Sequence, residues 1–98
     1  MALRLDDIDY FLAVAEHGQV RRAAAALGLS QPALTKGLQR LEKELGFPLF
    51  ERGARGMTLT PVAERFRQIG ALMRKDHVLS PLAKRFLEIL RETAGPRA

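Results

Sequence analysis

Val20-Arg21-Arg22-Ala23-Ala24-Ala25-Ala26-Leu27-Gly28-Leu29-Ser30-Gln31-Pro32-Ala33-Leu34-Thr35-Lys36 decides the fold. The alanine run favours helix and is small enough to let another helix approach closely. Gly28 ends that element, and Gly28-Leu29-Ser30 is a tight turn. Ser30 is a ready N-cap, and Pro32, which has no N–H, fits the first turn of a new helix. From Gln31 the pattern Leu34, Leu38, Leu41, Leu45 buries one stripe, while Gln31, Thr35, Lys36, Gln39, Arg40 and Lys43 lie away from it. Gly46 terminates this helix. Two helices over 20–27 and 31–45, joined by a glycine turn, have the spacing of a helix-turn-helix.

Working outward, Ile8, Phe11, Leu12 and Ala15 predict a preceding helix from about Asp7 to His17, with Asp6 and Asp7 as N-cap or first-turn residues and Gly18 as its stop. Downstream, Leu49-Phe50-Glu51-Arg52 and Met57-Thr58-Leu59-Thr60 predict a small β-hairpin around Gly53-Ala54-Arg55-Gly56. Thr60 caps and Pro61 opens a further helix. Its stripe is Val62, Phe66, Ile69, Met73, with Gly70 costing about 1 kcal/mol relative to Ala. The pattern is lost around 75–79. Ser80-Pro81 then starts a last amphipathic helix with Leu82, Phe86, Ile89 and Leu90 on one face.

Composition narrows the class. At 98 residues one small domain fits, and a dinucleotide-binding or barrel enzyme does not. Apolar residues at 47% with 28% charged describe a globular chain, not a disordered one. The absence of Cys excludes a disulfide framework, a thiolate zinc site and a Cys nucleophile. No signal peptide or apolar run of membrane-spanning length is visible, so the expected location is cytoplasmic, with no membrane partner. The net charge is +5, and the basic excess lies in residues 30–98, which points to a polyanionic partner. Catalysis is not expected. Asp76-His77 is too little for a triad or metal site, and Gly53-Ala54-Arg55-Gly56 lacks the Lys-Ser/Thr of a phosphate loop. No cofactor is implied.

In a helix-turn-helix the second helix enters the DNA major groove and its first side chains meet base edges. Gln31 can read adenine with a bidentate amide. Thr35 can bond to a base or pack its methyl on thymine, and Lys36 can reach guanine or phosphate. The start of that helix also offers free N–H groups to a phosphate. Arg55, between glycines at a hairpin tip, suits the minor groove. Singly, each of these residues reads better as a solvated polar position, since surface polar residues are the norm. Together, with the hairpin following the helix, they point to double-stranded DNA.

The chain also resembles the N-terminal domain of LysR-type transcriptional regulators. The likeness rests on Asp9-Tyr10-Phe11-Leu12-Ala13-Val14-Ala15-Glu16-His17-Gly18, Ser30-Gln31-Pro32-Ala33-Leu34-Thr35, Leu41-Glu42-Lys43-Glu44-Leu45-Gly46, Pro48-Leu49-Phe50-Glu51-Arg52 and Leu59-Thr60-Pro61, and covers residues 3–74. It implies a mainly α winged helix-turn-helix over 1–60, a linker helix over 61–78 that dimerises, and inverted-repeat DNA bound by a homodimer. Residues 79–98 resemble the C-terminal tail helix of such regulators. By resemblance, Gln31, Pro32, Thr35 and Lys36 are the DNA-reading positions. Arg55 matches the wing arginine, and Arg52 a structural or phosphate-facing one. Val62, Phe66, Ile69 and Met73 would form the dimer contact; packing on the domain's own first helix is the alternative for the same face.

Four positions depart from the family pattern. Gln19 replaces a usual Ser and weakens the second helix's cap, and Arg21-Arg22 follow it. Gly37 stands in the recognition helix, where it costs stability but permits close backbone approach. Ala63 replaces a glycine. The family's two-lobed effector domain is not in the sequence, so no small-molecule effector is expected. The rival expectation is a protein-interaction module that pairs with a full-length family member.

Overall fold

The computed structural model describes residues 3–53, 56–76, 85, 88–90 and 92. Along the chain run α1 (Leu5–His17), α2 (Val20–Leu27), α3 (Gln31–Leu45), β1 (Phe50–Gly53), β2 (Gly56–Leu59) and α4 (Pro61–Asp76). Three helices, a hairpin and a following helix make a winged helix-turn-helix.

The bounds of α2 and α3 are those read from the sequence, because each end carries a local chemical signal. Ser30 Oγ accepts the Ala33 N–H at 3.2 Å and starts α3. Gly28, at φ 70°, closes α2. Its N–H donates to Ala25 O at 3.2 Å and the next N–H, of Leu29, donates to Ala24 O at 2.9 Å. This reciprocal closure requires a left-handed residue, which glycine supplies without strain. Gln19 makes no side-chain cap, as expected of the departure there.

Helix α1 departs from its expected start and face. It begins at Leu5, with Arg4 as an extended N-cap that makes no side-chain bond. Asp6 and Asp7 lie in its first turn, but Asp7 is buried, and the buried apolar residues are Ile8, Phe11 and Val14, with Leu12 and Ala15 half-buried. The reason is that α1 is packed on more than one side. A Cβ added at Gly70 of α4 would stand 3.3 Å from Ile8 and 3.8 Å from Leu12. One at Gly37 of α3 would overlap Tyr10 Cδ2 and stand 2.8 Å from its Cε2 and 3.1 Å from Asp7 Oδ1. A single-stripe reading cannot describe a helix that serves three neighbours, α2, α3 and α4.

Gly37 is therefore the seat on which the Tyr10 ring rests. Gly37→Ala gains about 1 kcal/mol of helix propensity but incurs overpacking of about 1–3 kcal/mol. The expected result is a net loss of about 1 kcal/mol in urea unfolding, relieved when Tyr10 is also shortened to Ala.

The strands pair antiparallel with Phe50 opposite Leu59, Glu51 opposite Thr58, Arg52 opposite Met57 and Gly53 opposite Gly56. Both strands sit about one residue from their expected spans. The core gathers between α1, α3 and α4. Phe11 and Phe66 have ring centroids 5.3 Å apart, Phe66 and Phe47 6.4 Å, and Phe11 and Phe50 5.6 Å. Leu90 also belongs to this core. Of the expected C-terminal helix, only Arg85, Glu88, Ile89, Leu90 and Glu92 fall among the described residues, and all are helical.

Candidate nucleic-acid interface

The outward face of α3 is built from behind. Leu34, Leu38, Leu41 and Leu45 are buried, which fixes the rotation of the helix about its axis. That rotation leaves Gln31, Pro32, Lys36, Gln39 and Lys43 exposed and Thr35 half-buried. The start of the helix offers less than expected to an anion. Ser30 Oγ takes the Ala33 N–H, Ser30 O takes the Leu34 N–H at 3.1 Å, and Pro32 has none. Among the described residues, the Ser30 and Gln31 N–H groups of that turn stay unclaimed.

The hairpin adds Arg52, exposed on β1. An open cleft of about 320 Å³ runs between the hairpin, at Arg52 and Met57, and the first turn of α2, at Val20 and Arg21. Arg21, Arg22, Lys36, Lys43 and Arg52 form no ion pair among the described residues. Arg55, the expected minor-groove residue, lies outside the described residues, as does His77.

One tie holds the hairpin root to α3 and a second closes that root onto α4. Glu42 Oε2 accepts the Leu49 N–H at 2.7 Å. Thr60 Oγ1 donates to Pro48 O at 2.8 Å, accepts the Ala63 N–H at 3.2 Å as the α4 cap, and the Thr60 N–H donates to Leu49 O at 3.0 Å. One threonine thus closes the hairpin root and opens the next helix. The capping role was legible in Thr60-Pro61; the link to Pro48 was not.

Sequence reading also missed the ion pair between α1 and α3. Arg40 Nε donates to Asp7 Oδ2 at 3.1 Å and Arg40 Nη2 to Asp7 Oδ1 at 2.9 Å. The hydrogen bond to Asp7, opposed by desolvation and aided by its charge, raises the Arg40 pKa above its already high ordinary value. An acidic residue beside Ile8 on an otherwise apolar face, and a glycine one turn before Arg40, were the available signals. Arg74 of α4 also pairs with Asp9 of α1.

The stripe assigned to a dimer contact has a home within the chain. Phe66, Ile69 and Met73 are buried in the core, and Val62 is half-buried against it. These are the positions of the alternative reading, in which the stripe faces the domain itself. The large apolar side chain that α4 leaves outside is Leu72, 60% exposed. Among the described residues, no helix is long and apolar enough to cross a membrane.

Comparison with known proteins gives a consistent picture. A family model for bacterial regulatory helix-turn-helix proteins of the lysR family matches residues 5–64. The transcriptional regulator BudR of Klebsiella aerogenes is 48% identical over 64 residues, 65% of this chain and 45% of BudR. The chain thus spans less than half the length of that relative. In solved structures, the CbnR_DBD–DNA complex matches with a TM-score of 0.70 at 35% identity, covering 93% of this chain and 98% of that one. The BenM_DBD/catB site 1 DNA complex matches with a TM-score of 0.70 at 37% identity, covering 74% of this chain and 78% of that one.

Proposed function

This chain belongs to the lysR family of bacterial regulatory helix-turn-helix proteins, a family of DNA-binding transcription regulators and not of enzymes; from that premise we propose that it binds an inverted-repeat duplex as a two-fold dimer, one α3 in each major groove. The observation that carries the proposal is the outward face of α3. Polar groups suited to base edges stand exposed there on a helix locked from behind by four buried leucines. Arg21, Arg22 and Arg52, which form no ion pair among the described residues, flank it on α2 and β1. The DNA complexes of CbnR and BenM domains, which share this architecture, support the same reading.

The roles follow from reach and chemistry. Gln31 presents a bidentate amide for adenine. Thr35 offers a hydroxyl and a methyl, and Lys36 a point charge for guanine or phosphate. Pro32 holds the first turn in place without an N–H of its own. Arg52 faces the backbone, and Arg55 enters the minor groove, whose negative potential attracts arginine.

Dimerisation is assigned to α4. Val62, Phe66, Ile69 and Met73 support that helix from inside the chain, while Leu72 supplies the outer contact. Leu72→Glu is expected to convert dimer to monomer in sedimentation equilibrium with the helical circular dichroism unchanged. Retention of the dimer would remove α4 from the interface.

Selection of bound sites from a random duplex pool tests the reading as a whole. The expected result is an enriched inverted repeat, bound with an affinity that falls steeply as salt rises, because phosphate neutralisation releases counterions. A pool with no enriched sequence, or salt-independent binding, would overturn it.

A further inference from the structure

Helix α3 carries a line of cations one turn apart on its exposed side: Lys36, Arg40 and Lys43. Lys36 and Lys43 have no ion-pair partner among the described residues, whereas Arg40 is held by Asp7. The two ends of that pair stand in different surroundings. The Arg40 side chain is 45% exposed and the Asp7 side chain 3%. The bond is a fork, with Nε on one carboxylate oxygen and Nη2 on the other, at 3.1 Å and 2.9 Å. Gly37 makes room for it, since a Cβ there would stand 3.1 Å from Asp7 Oδ1.

We infer that Asp7 is a positioning residue that withholds Arg40 from the DNA backbone and so favours sequence-specific over non-specific binding. The inference rests on the DNA reading above. If Arg40 swung toward a phosphate, it would leave a buried carboxylate without its partner, and a buried charge stripped of its pair is strongly unfavourable. A phosphate can replace the fork on the guanidinium but does nothing for the abandoned carboxylate. The guanidinium therefore stays on Asp7, its charge offset by an anion less than 3 Å away. Non-specific affinity follows the number of cations free to displace counterions, while base reading by Gln31 and Thr35 does not. Removing one cation from that number lowers background binding and leaves the reading of sequence intact. The low exposure of Asp7 is what makes the restraint one-sided: the exposed member is mobile in principle, but the buried member fixes its place.

The test is the salt dependence of binding to a duplex without the enriched site. Wild type, Asp7→Asn and Asp7→Asn/Arg40→Gln are compared, with circular dichroism melting as the fold control. Asp7→Asn is expected to steepen the log–log salt slope by about 0.9 per protomer, or about three- to fourfold in affinity over a fourfold change in salt. The double variant, an uncharged amide pair of similar shape, is expected to keep the wild-type slope. A shallower slope in the double variant shows Arg40 already on a phosphate and overturns the inference, as does an unchanged slope in a folded Asp7→Asn. If Asp7→Asn does not fold, the double variant decides alone. A wild type with no salt-dependent binding overturns the DNA reading together with this one, whereas the other negative results overturn this one only.

Discussion

Phe66→Ala is expected to remove about 3–5 kcal/mol of folding stability, the usual cost of emptying a buried aromatic site. The ring is fully buried and lies within ring-stacking distance of both Phe11 and Phe47. Truncation leaves a void bordered by α1, α4 and the segment after α3, three parts that cannot all collapse into it. Domains of this size have about 5–15 kcal/mol in total, so the variant is expected to be largely unfolded in moderate urea. The measurement also separates the two assignments made for the α4 stripe. If Phe66 is core, the loss in urea midpoint is the same at micromolar and at hundred-micromolar protein. If it is a dimer contact, raising the concentration restores the midpoint by mass action.

Gln31→Ala is expected to weaken binding to the selected site by about 1–3 kcal/mol, roughly 5- to 150-fold in Kd. The effect belongs to recognition and not to folding, because Gln31 is exposed and the Ser30 cap does not use its side chain. Site selection with the variant is expected to lose preference at one base pair per half-site and keep it elsewhere. Lys36→Ala provides the contrast if its ammonium meets a phosphate. Binding then weakens on all duplexes alike, and the salt slope falls by about 0.9 per protomer. An unaltered selection profile for Gln31→Ala would falsify its base-reading role.

What the sequence revealed divides along the range of the interaction. The start and stop of α2 and α3 were legible because Gly28, Ser30, Pro32 and Gly46 act on neighbours within four residues. The outward face of α3 followed from the leucine spacing, since one side of that helix is buried. Asp7 read as an N-terminal charge because its partner, Arg40, is 33 residues away. No periodicity links those two positions. Gly37 read as a cost to its own helix, when its purpose lies in the Tyr10 ring of another. The α4 stripe was found at its true spacing, but spacing says that a face is covered, not by what. The apolar face of α1 was read too narrowly for the same reason: Ile8 and Phe11 are buried as expected, but α2, α3 and α4 together cover the helix and bury Asp7 and Val14 as well.

The ties at Glu42 and Thr60 bear on how the molecule would meet a duplex. Glu42 ties the root of the hairpin to the last turn of α3 and Thr60 ties that root to α4, so the helix and the ribbon are held as arms of one caliper. On the DNA reading, no hinge has to be frozen on association, and the entropic cost of ordering the wing is met during folding. A caliper of fixed gauge also measures what it grips. Overwinding or underwinding the duplex changes the offset between adjacent grooves, and the arms then cannot both seat. On that reading, the torsional state of the site, and not only its base sequence, would bear on binding by this domain.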